Sequence, residues 1–322
     1  MARTRSRRLE PIDMTRVLVL GGGPDAEREI SLQSARAVAH ALQANFQVIK
    51  HTIDCVDDFD LHTLEGDVIF PAMHGFWGEG GPLQDALEAD GRPYVGSGPH
   101  AARWCMDKIA TKLTALSLDI PTPPSCLFDP RDRIGPIEPP LVLKPTHDGS
   151  SVGLHVCRDL ETWNNARLRA RDDICAHPQR SYMLERFIPG RELTVGLLGD
   201  ENHLTALPLV EIAPAGGVYD YDAKYARTDT AYTISPILPS GVAEQITQAA
   251  LALATHIGVR DLARVDFVLD ADNTPWLLEI NTMPGFTSTS LLPKAARGIG
   301  MSFEDLCARL VELALRRARR TS

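Results

Sequence analysis

Two neighbouring segments of the chain carry acidic and amide side chains at a spacing that could hold a metal ion. Residues 263–270 and 275–281 alternate apolar and polar residues as strands do, and the turn-prone residues 271–274 join them. In a hairpin folded about that turn, Asp266 lies opposite Glu279. Alternation then places four polar side chains on one face: Arg264, Asp266, Glu279 and Asn281. Carboxylate and carboxamide oxygens suit Mg²⁺ better than zinc.

The opposite face of this hairpin is apolar. It presents four side chains to a core: Val265, Phe267, Leu278 and Ile280. The alternative, that the polar face is only solvated surface, is disfavoured because acids directly opposite one another on a sheet repel. The sequence therefore predicts a magnesium site on the polar face. The segment that leaves the second strand would bring Gly285 and Ser290 within reach of whatever the metal holds.

A glycine-rich turn near the start of the chain offers a second place for chemistry. Residues 21–26 match the G-x-G-x-x-A pattern of dinucleotide-binding turns. The acid that such a site needs after the next strand is not clearly placed, because Asp54 is the nearest candidate and lies rather far along. A plain tight turn and an NAD-dependent oxidoreductase therefore both stay open. Glu27 begins the following helix, whose dipole keeps a carboxylate ionised and able to receive a substrate ammonium.

Two loops have compositions suited to ligand contact. Residues 74–81 carry His74 and four glycines just beyond the carboxyl end of a predicted strand, the edge at which open α/β sheets bind ligands. Residues 143–153 join two strands, and their amides and hydroxyls could cradle phosphate while Lys144 supplies positive charge. A structural histidine and an ordinary hairpin loop are the alternatives.

Two further stretches contribute candidates for nucleotide contact. In residues 182–192, Glu185 and Glu192 could accept hydrogen bonds from an adenine amino group or ribose hydroxyls, although each alone could be a surface glutamate. Residues 219–225 form a predicted loop with three tyrosines and a lysine that could close over a phosphate or a carboxylate.

Two kinds of predicted architecture position these groups. The first part of the chain alternates strands and helices, which predicts a small doubly wound parallel sheet. The elements expected there are Val17–Leu20, Ile30–Gln43, Gln47–Ile53, Asp67–Pro71, Pro82–Ala89 and Tyr94–Val95. A helical region at 101–117 and a proline-rich linker at 121–124 precede a part that favours strands. Those strands are expected at Leu141–Lys144, Leu154–Val156, Ser181–Glu185, Leu193–Leu198 and Leu204–Val210, with a helix at Ala243–Ile257 before the hairpin.

Composition and charge limit the classes of function. The 322-residue chain is 44% hydrophobic and 23% charged, as is usual for a globular enzyme, and is long enough for two or three compact units. Its net charge of −9 argues against a general nucleic-acid binder. Six scattered cysteines are expected to be small buried hydrophobes in a reducing cytosol. Because no apolar stretch is long enough to span a bilayer, we expect a cytoplasmic protein without a membrane partner.

Several motifs together resemble the ATP-grasp superfamily and, more closely, the D-alanine–D-alanine ligases. They occur in family order over nearly the whole chain, which makes the combination highly specific. The motifs are residues 22–32, 74–75, 94–98, 106–108, 144–145, 149–153, 219–225, 264–266 and 279–285.

The resemblance implies an α/β and α+β chain with the ATP-grasp fold. An N-terminal doubly wound parallel sheet would be followed by two α+β domains that grip ATP between antiparallel sheets. We accordingly expect a disordered leader at 1–14, an N-terminal substrate domain at 15–100, a central ATP-grasp domain at 101–184 and a C-terminal ATP-grasp domain with the metal site at 185–322. Dimers are common in the family, so we also expect a homodimer.

The resemblance also implies a role for each candidate residue. ATP would contact Lys108, Lys144, Ser151, Glu185, Phe187, Ile188, Glu192 and Lys224. Two Mg²⁺ or Mn²⁺ ions would be held by Asp266, Glu279 and Asn281. D-Alanine would be bound by His74, Ser290 and Leu291. Catalysis would use Glu27, Ser150, Tyr225, Arg264 and Gly285.

In the reaction of that family, the carboxylate of one D-alanine attacks the γ-phosphate of ATP, and the amine of a second D-alanine attacks the resulting acyl phosphate. A related ligase with D-lactate, D-serine or another amino acid as acceptor is the main alternative, although Tyr225 favours an amine acceptor. A non-catalytic nucleotide-binding protein is a third interpretation. The chain departs from the family pattern at residues 78–81, where Gly80 replaces the usual acid.

Overall fold

The structure is a computed structural model that describes residues 14–321 apart from 58, 134, 150–151 and 215–228. Four predicted site residues lie outside the described residues: Ser150, Ser151, Lys224 and Tyr225. The predicted leader also lies outside them, except for Met14.

A parallel sheet forms the first layer of the molecule, as predicted. Its strands are β1 Arg16–Gly22, β2 Gln47–Ile53 and β3 Val68–Pro71, in the order β2-β1-β3. Almost all of β1 and the whole of β3 are buried, as expected for strands covered on both faces. Near the strand expected at Tyr94–Val95, Tyr94 forms an isolated parallel bridge with Ile69, so the chain pairs with β3 there as expected but over a single residue.

Helices alternate with these strands and continue beyond them. They are α1 Arg28–Leu42, α2 Gly75–Glu79, α3 Pro82–Asp90, α4 Pro99–Met106 and α5 Lys108–Ser117, with a 3₁₀ turn at Leu61–Thr63. The helical region predicted at 101–117 is divided, because Asp107 is extended (φ −79°, ψ 104°). Its carboxylate caps α5 by accepting hydrogen bonds from the amides of Ile109 at 2.8 Å and Ala110 at 3.1 Å.

An antiparallel sheet of four strands forms the second layer. The strands are β4 Ser125–Leu127, β5 Leu141–Pro145, β6 His155–Cys157 and β7 Tyr182–Arg186, in the order β4-β7-β5-β6. Helix α6, Leu160–Ala176, covers one face through Trp163, Ala166 and Ala170, which share a core with the sheet. The other face is left to line a cavity.

A larger antiparallel sheet forms the third layer. Its strands are β8 Arg191–Asp200, β9 His203–Ala206, β10 Val210–Pro214, β11 Thr230–Ile234, β12 Asp261–Leu269 and β13 Pro275–Asn281. They lie in the order β11-β10-β8-β12-β13, and β9 also pairs with β8. Helix α7, Val242–Ile257, packs its buried face against this sheet. Two antiparallel sheets after one parallel sheet are the architecture that the ATP-grasp resemblance implied.

The single strand predicted at 204–210 is two strands in the structure. The chain turns away after Ala206, and Pro208 lies in the connection to β10. Proline lacks the amide hydrogen that a continuous ladder needs, which explains the interruption. The amide of Leu207 still donates to the carbonyl of Gly196 at 2.8 Å.

The hairpin of β12 and β13 has the predicted pairing at its site end and a bulge below it. Asp266 lies opposite Glu279, but the next pair is Phe267 with Leu277. Leu278 is therefore an extra residue, and it lines a cavity instead of joining the core. The prediction that Leu278 packs in the core is wrong, because Leu277 takes that place at 0% exposure.

The end of the chain returns to the first sheet. Helix α8, Leu291–Arg297, is followed by α9, Phe303–Thr321, which contacts α1 and β3. Arg317 on α9 forms a buried ion pair with Asp261, at 2.7 Å, and also donates to the carbonyl of Tyr94 at 2.6 Å. These contacts tie α9 to β12 and to the segment after β3.

The cysteines are free thiols, and their burial differs from the expectation. Cys105, Cys157 and Cys307 are buried, whereas Cys55 and Cys175 are exposed, so uniform burial was a wrong prediction. Within the described ranges, no helix is both long and apolar enough to cross a bilayer.

Candidate active site

Two adjoining cavities form a cleft between the three sheets. One, of about 340 Å³, lies between the two antiparallel sheets, and the other, of about 260 Å³, lies toward the first sheet. Lys108, Asp148 and Glu279 line both cavities, so the two are continuous. We call the first the nucleotide cavity and the second the substrate cavity.

The predicted metal residues lie at the junction of the cavities. Asp266 accepts a hydrogen bond from Thr194 Oγ1 at 2.6 Å and forms an ion pair with Arg264 at 2.8 Å. Glu279 lies opposite Asp266 and 3.6 Å from Lys108 Nζ. Asn281 Oδ1 accepts a hydrogen bond from the amide of Met283 at 3.0 Å in the segment after β13.

These oxygens fit the ligand preference of Mg²⁺. In the described part of the chain, no group of three or more His, Cys, Asp or Glu residues is arranged to hold a metal. The set must therefore depend on Asp266, Glu279 and the carboxamide oxygen of Asn281, with oxygens from elsewhere completing the shell. A site with so few protein ligands is typical of magnesium, which often binds through one or two carboxylates plus substrate phosphates.

Glu185 anchors the other end of the nucleotide cavity. It is 3% exposed and lies between two lysines, with Lys144 Nζ donating to Oε1 at 2.8 Å and Lys112 Nζ 2.6 Å from Oε2. Burial would raise the pKa of Glu185, but the positive charges of both lysines outweigh it and hold that pKa below its usual value. Burial also lowers the pKa of Lys112 to about 8.

One oxygen of Glu185 keeps hydrogen-bonding capacity. Among the described residues, Oε2 accepts no well-directed hydrogen bond, because the ammonium of Lys112 is close but poorly aligned. Phe187, Ile188 and Glu192 line the same cavity. The structure thus brings the predicted adenine and ribose residues together in one cavity, with the carboxylate of Glu185 held by two lysines.

Lys108 connects the cleft to the loop after β5. It is 7% exposed, and its ammonium donates to the carbonyl of Asp148 at 2.7 Å. The ammonium thus lies between that loop and Glu279, at the junction where the predicted phosphates would lie. Lys108 and Lys144 both line the nucleotide cavity, and their contacts with phosphate stay a prediction.

Two buried carboxyl groups line the substrate cavity. Glu27 is 7% exposed at the start of α1, and Glu79 is 4% exposed at the end of α2. Burial and then the charge of Glu27 raise the pKa of Glu79 well above its usual value. This favours the protonated form of Glu79. A Cβ on Gly149 would lie 2.7 Å from Glu27 Oε2, so the glycine allows the loop backbone to approach the carboxylate.

His74 is held by protein groups on both sides of its ring. Nδ1 lies 3.0 Å from the carbonyl of Met283, which can only accept, so Nδ1 carries a proton. Nε2 lies 2.9 Å from Ser34 Oγ, and the same hydroxyl accepts from the amide of Phe286 at 3.1 Å. Burial lowers the pKa of His74 to about 4, which makes it neutral. His74 lines the substrate cavity, but its ring positions the segment at 283–286.

The remaining predicted substrate residues lie at the start of α8. Ser290 is the N-cap of that helix, and its hydroxyl accepts from the amide of Thr287 at 3.0 Å. Gly285 lies beside Ser290, since a Cβ there would be 3.5 Å from Ser290 Oγ. Together with Leu291 and Arg264 they line the substrate cavity.

Two glycine positions are explained by packing. A Cβ on Gly21 would lie 2.5 Å from Cβ of Ala35, so a glycine is needed here because the turn packs closely against α1. Asp54, the candidate ribose acid of a dinucleotide site, forms an ion pair with Arg28. A Cβ on Gly80 would lie 2.4 Å from the carbonyl oxygen of Phe76, so α2 has no room here for the acid usual in the family.

Sequence reasoning missed several residues of the cleft. Glu79 and Tyr232 line the substrate cavity, and Arg158 lines the nucleotide cavity. Lys112 lies under Glu185, and its position four residues after Lys108 on one helix was a usable signal. Arg158 and Tyr232 gave no comparable signal.

Comparisons with known proteins identify one family. The family described as D-ala D-ala ligase C-terminus matches residues 133–312. A D-alanine–D-alanine ligase of Bordetella petrii is 41% identical over 308 residues, covering 93% of this chain and 92% of the relative. One from Anaeromyxobacter is 39% identical over 312 residues, covering 94% of this chain and 98% of the relative.

Solved structures give the same result for the fold. A D-alanine–D-alanine ligase from Bacillus anthracis, complexed with ATP, superposes with a TM-score of 0.80 at 26% identity and covers 96% of this chain and 100% of that one. The ligase from Coxiella burnetii has a TM-score of 0.80 at 27% identity and covers 96% of each chain.

Proposed function

The chain belongs to the D-alanine–D-alanine ligase family, and from that premise we propose that its cleft joins two D-alanine molecules into D-alanyl-D-alanine with ATP as the co-substrate. The product serves peptidoglycan synthesis. One observation carries the proposal: the nucleotide and substrate cavities meet at Lys108 and Glu279, so a phosphoryl group and a substrate carboxylate can be brought together there.

The reaction begins with attack of the first D-alanine carboxylate on the γ-phosphate of ATP. An acyl phosphate forms, the bond to the β-phosphate breaks, and ADP remains. Lys108 and Lys144 offset the repulsion between the anions. Asp266, Glu279 and Asn281 would hold two Mg²⁺ or Mn²⁺ ions, which would supply positive charge to the phosphate oxygens.

Glu27 receives the ammonium of the first D-alanine. Its burial at the start of α1 gives the ion pair a water-poor setting, and the dipole of α1 favours the ionised carboxylate. Burial and the charge of Glu27 raise the pKa of Glu79, so Glu79 adds little negative charge beside the ammonium. Ser150 and Tyr225 would complete this end of the site.

The second D-alanine binds at the other side of the substrate cavity. Its carboxylate would be fixed by Ser290, the amide of Leu291 and Lys224. Its amine attacks the acyl phosphate carbonyl, and Arg264 and the amide of Gly285 stabilise the tetrahedral oxyanion, each contributing roughly 3 kcal/mol by analogy with other oxyanion sites. Phosphate then leaves with the electrons of the broken C–O bond.

We extend the proposal to the setting of the enzyme. A homodimer in the cytoplasm is supported by the family and by the need for ATP, and sedimentation velocity of the purified chain would test the dimer. A dinucleotide-dependent oxidoreductase has no support from the first turn, where a packing contact and an ion pair account for Gly21 and Asp54.

The decisive experiment measures phosphate release from Mg-ATP with D-alanine, with L-alanine, D-lactate and D-serine as competing acceptors and product masses read by mass spectrometry. We expect D-alanyl-D-alanine with equal amounts of ADP and phosphate. Turnover only with D-lactate or D-serine would replace the acceptor and keep the mechanism. Absence of ATP turnover with every acceptor would contradict the function.

A further inference from the structure

Arg158 is a cation that lines the nucleotide cavity at one end of β6. It follows β6 directly, and its guanidinium lies 5.4 Å from the ring centroid of Phe187. Across the described ranges of the chain, Arg158 makes no hydrogen bond or ion pair. An aromatic ring thus holds the guanidinium in place while leaving its N–H donors available.

The sheet register shows which end of the cavity Arg158 occupies. Leu141 on β5 pairs with Cys157 on β6, so the next residue, Arg158, lies beside Pro140. The amide of Phe187 donates to the carbonyl of Pro140 at 3.2 Å, which places the Arg158–Phe187 pair at this point. Lys144 lies four residues farther along β5, about 13 Å away in an extended strand.

Apolar and charged side chains surround the pair. Val142, Val156 and Ile188 line the nucleotide cavity, and so does Arg186, which precedes Phe187 and pairs with Leu141 on β5. The charged residues that would contact phosphates line the same cavity from other elements. Lys108 begins α5, and Asp266 lies on β12 of the facing sheet. A cation about 13 Å along the sheet from Lys144 is poorly placed to neutralise the phosphates that Lys144 and Lys108 would contact.

We propose that Arg158 is a further nucleotide-binding residue, whose guanidinium binds the nucleoside part of ATP at the Phe187 end of the cavity. A planar guanidinium stacks on nucleobases as aromatic rings do, and its N–H groups match the acceptor atoms of a purine ring and a ribose. The ring of Phe187 holds the guanidinium plane of Arg158 in one orientation before the nucleotide binds, so little side-chain freedom is lost on binding. The inference rests on the proposed use of ATP.

The test compares Arg158→Met and Arg158→Lys with the wild-type enzyme. Arg171→Met is the matched control, because Arg171 is an exposed arginine of α6 that pairs only with its neighbour Asp172. The KM for ATP, the KM for D-alanine and kcat are measured at about 50 mM and about 500 mM KCl, since salt screens charge effects. Calorimetric titration with ADP measures nucleotide binding without turnover.

We expect Arg158→Met to raise the KM for ATP and weaken ADP binding about 10-fold, with kcat and the KM for D-alanine unchanged. The loss should persist at high salt, and Arg158→Lys should resemble Arg158→Met because lysine keeps the charge without the plane. Arg171→Met should behave as wild type.

Two results would overturn the inference. One is wild-type ADP affinity in Arg158→Met, and the other is a loss that lysine restores and high salt removes, which would indicate a charge effect on phosphate. Failure of the wild-type enzyme to bind ADP at all would instead contradict the ATP-dependent function itself.

Discussion

Glu279 lies where the two cavities meet, and its surroundings explain why it should be indispensable. Its carboxylate lies opposite Asp266 and 3.6 Å from Lys108. It can thus bind a metal ion and balance the charge of the lysine at the same point. Its side chain is 28% exposed, so the fold does not depend on its burial.

We expect Glu279→Gln to lower the rate of phosphate release at least about 100-fold, equivalent to roughly 3 kcal/mol of transition-state stabilisation. The amide keeps the shape but lacks the charge that the metals require. Thermal unfolding should remain close to wild type. Asp272→Asn in the exposed turn of the same hairpin is the control, and wild-type turnover of Glu279→Gln would remove this residue from the metal role.

His74 contributes to stability through its neutral form. Its pKa in the folded protein is lowered to about 4, mainly by burial, while the unfolded value is near 6.5. Between these values the unfolded chain binds a proton that the folded protein does not bind. The free energy of unfolding should therefore fall as the pH falls from about 6.5 to about 4, by an amount on the order of 3 kcal/mol from this residue.

Urea unfolding of wild type and His74→Gln at several pH values would measure this contribution. We expect the variant to be less stable at pH 7 but to lose less stability on acidification, so the two curves converge toward pH 4. His256→Gln, which changes an exposed histidine of α7, should keep the wild-type slope. A His74→Gln curve parallel to wild type would show that His74 does not remain neutral.

Sequence patterning predicted which polar residues of the β12–β13 hairpin share one face. The pairing of Asp266 with Glu279 and of Arg264 with Asn281 could be predicted because the turn lies within the same hairpin, and the metal-binding role of these residues stays a prediction. Glu79 and Lys112 were missed because they are buried beside Glu27 and Glu185, which come from distant parts of the chain, and only Lys112 had a sequence signal, its helical spacing from Lys108. Burial of a charge is a property of the tertiary structure.

At the scale of elements, the bulge at Leu278 separates two registers in one hairpin. Residues on the site side pair as strict alternation predicts, and residues on the turn side are displaced by one. At the bulge, β13 makes a contact outside the hairpin: the amide of Leu277 donates to the carbonyl of Pro121 in the linker at 2.8 Å. The pattern of the hairpin residues alone contains no information on that contact.

Alanine substitutions at the two adjacent leucines test the bulge. Leu277→Ala should lower the free energy of unfolding by about 2–5 kcal/mol, because it opens a cavity in the core. Leu278→Ala should cost less than about 1 kcal/mol and instead raise the KM for ATP, because Leu278 faces the nucleotide cavity. Denaturant unfolding and steady-state kinetics of both variants measure these effects. If Leu278→Ala instead caused the large loss of stability and Leu277→Ala raised the KM for ATP, the hairpin would have no bulge and Leu278 would pack in the core.

At the scale of the whole molecule, α9 joins parts of the chain that the expected domain boundaries separate. Its Leu306 and Leu310 share one core cluster with Val17 and Val19 of the first sheet. The division into domains at 15–100, 101–184 and 185–322 stays a prediction, and the C-terminal helix lies on the first of these units. Asp261, whose side chain is 0% exposed, forms the ion pair with Arg317 that holds α9 against β12.

Arg317→Met should lower the free energy of unfolding by about 3–5 kcal/mol, because Asp261 would remain buried without its cation. Arg319→Met on the exposed side of the same helix should change it by no more than about 0.5 kcal/mol. Thermal and urea unfolding of both variants provide the comparison. Equal stability of the two variants would mean that the amide of Gly96, which also donates to Asp261, is sufficient.

The hydrogen bond between the amide of Phe286 and Ser34 joins residues that are 252 positions apart. At a synthesis rate of roughly 5–20 residues per second, Phe286 would be made on the order of half a minute after Ser34, so this contact could form only then. The substrate cavity therefore cannot form early in synthesis, because the wall that contains Ser34 is made long before the wall that contains Phe286. A truncated nascent chain could acquire the first sheet but could not bind D-alanine.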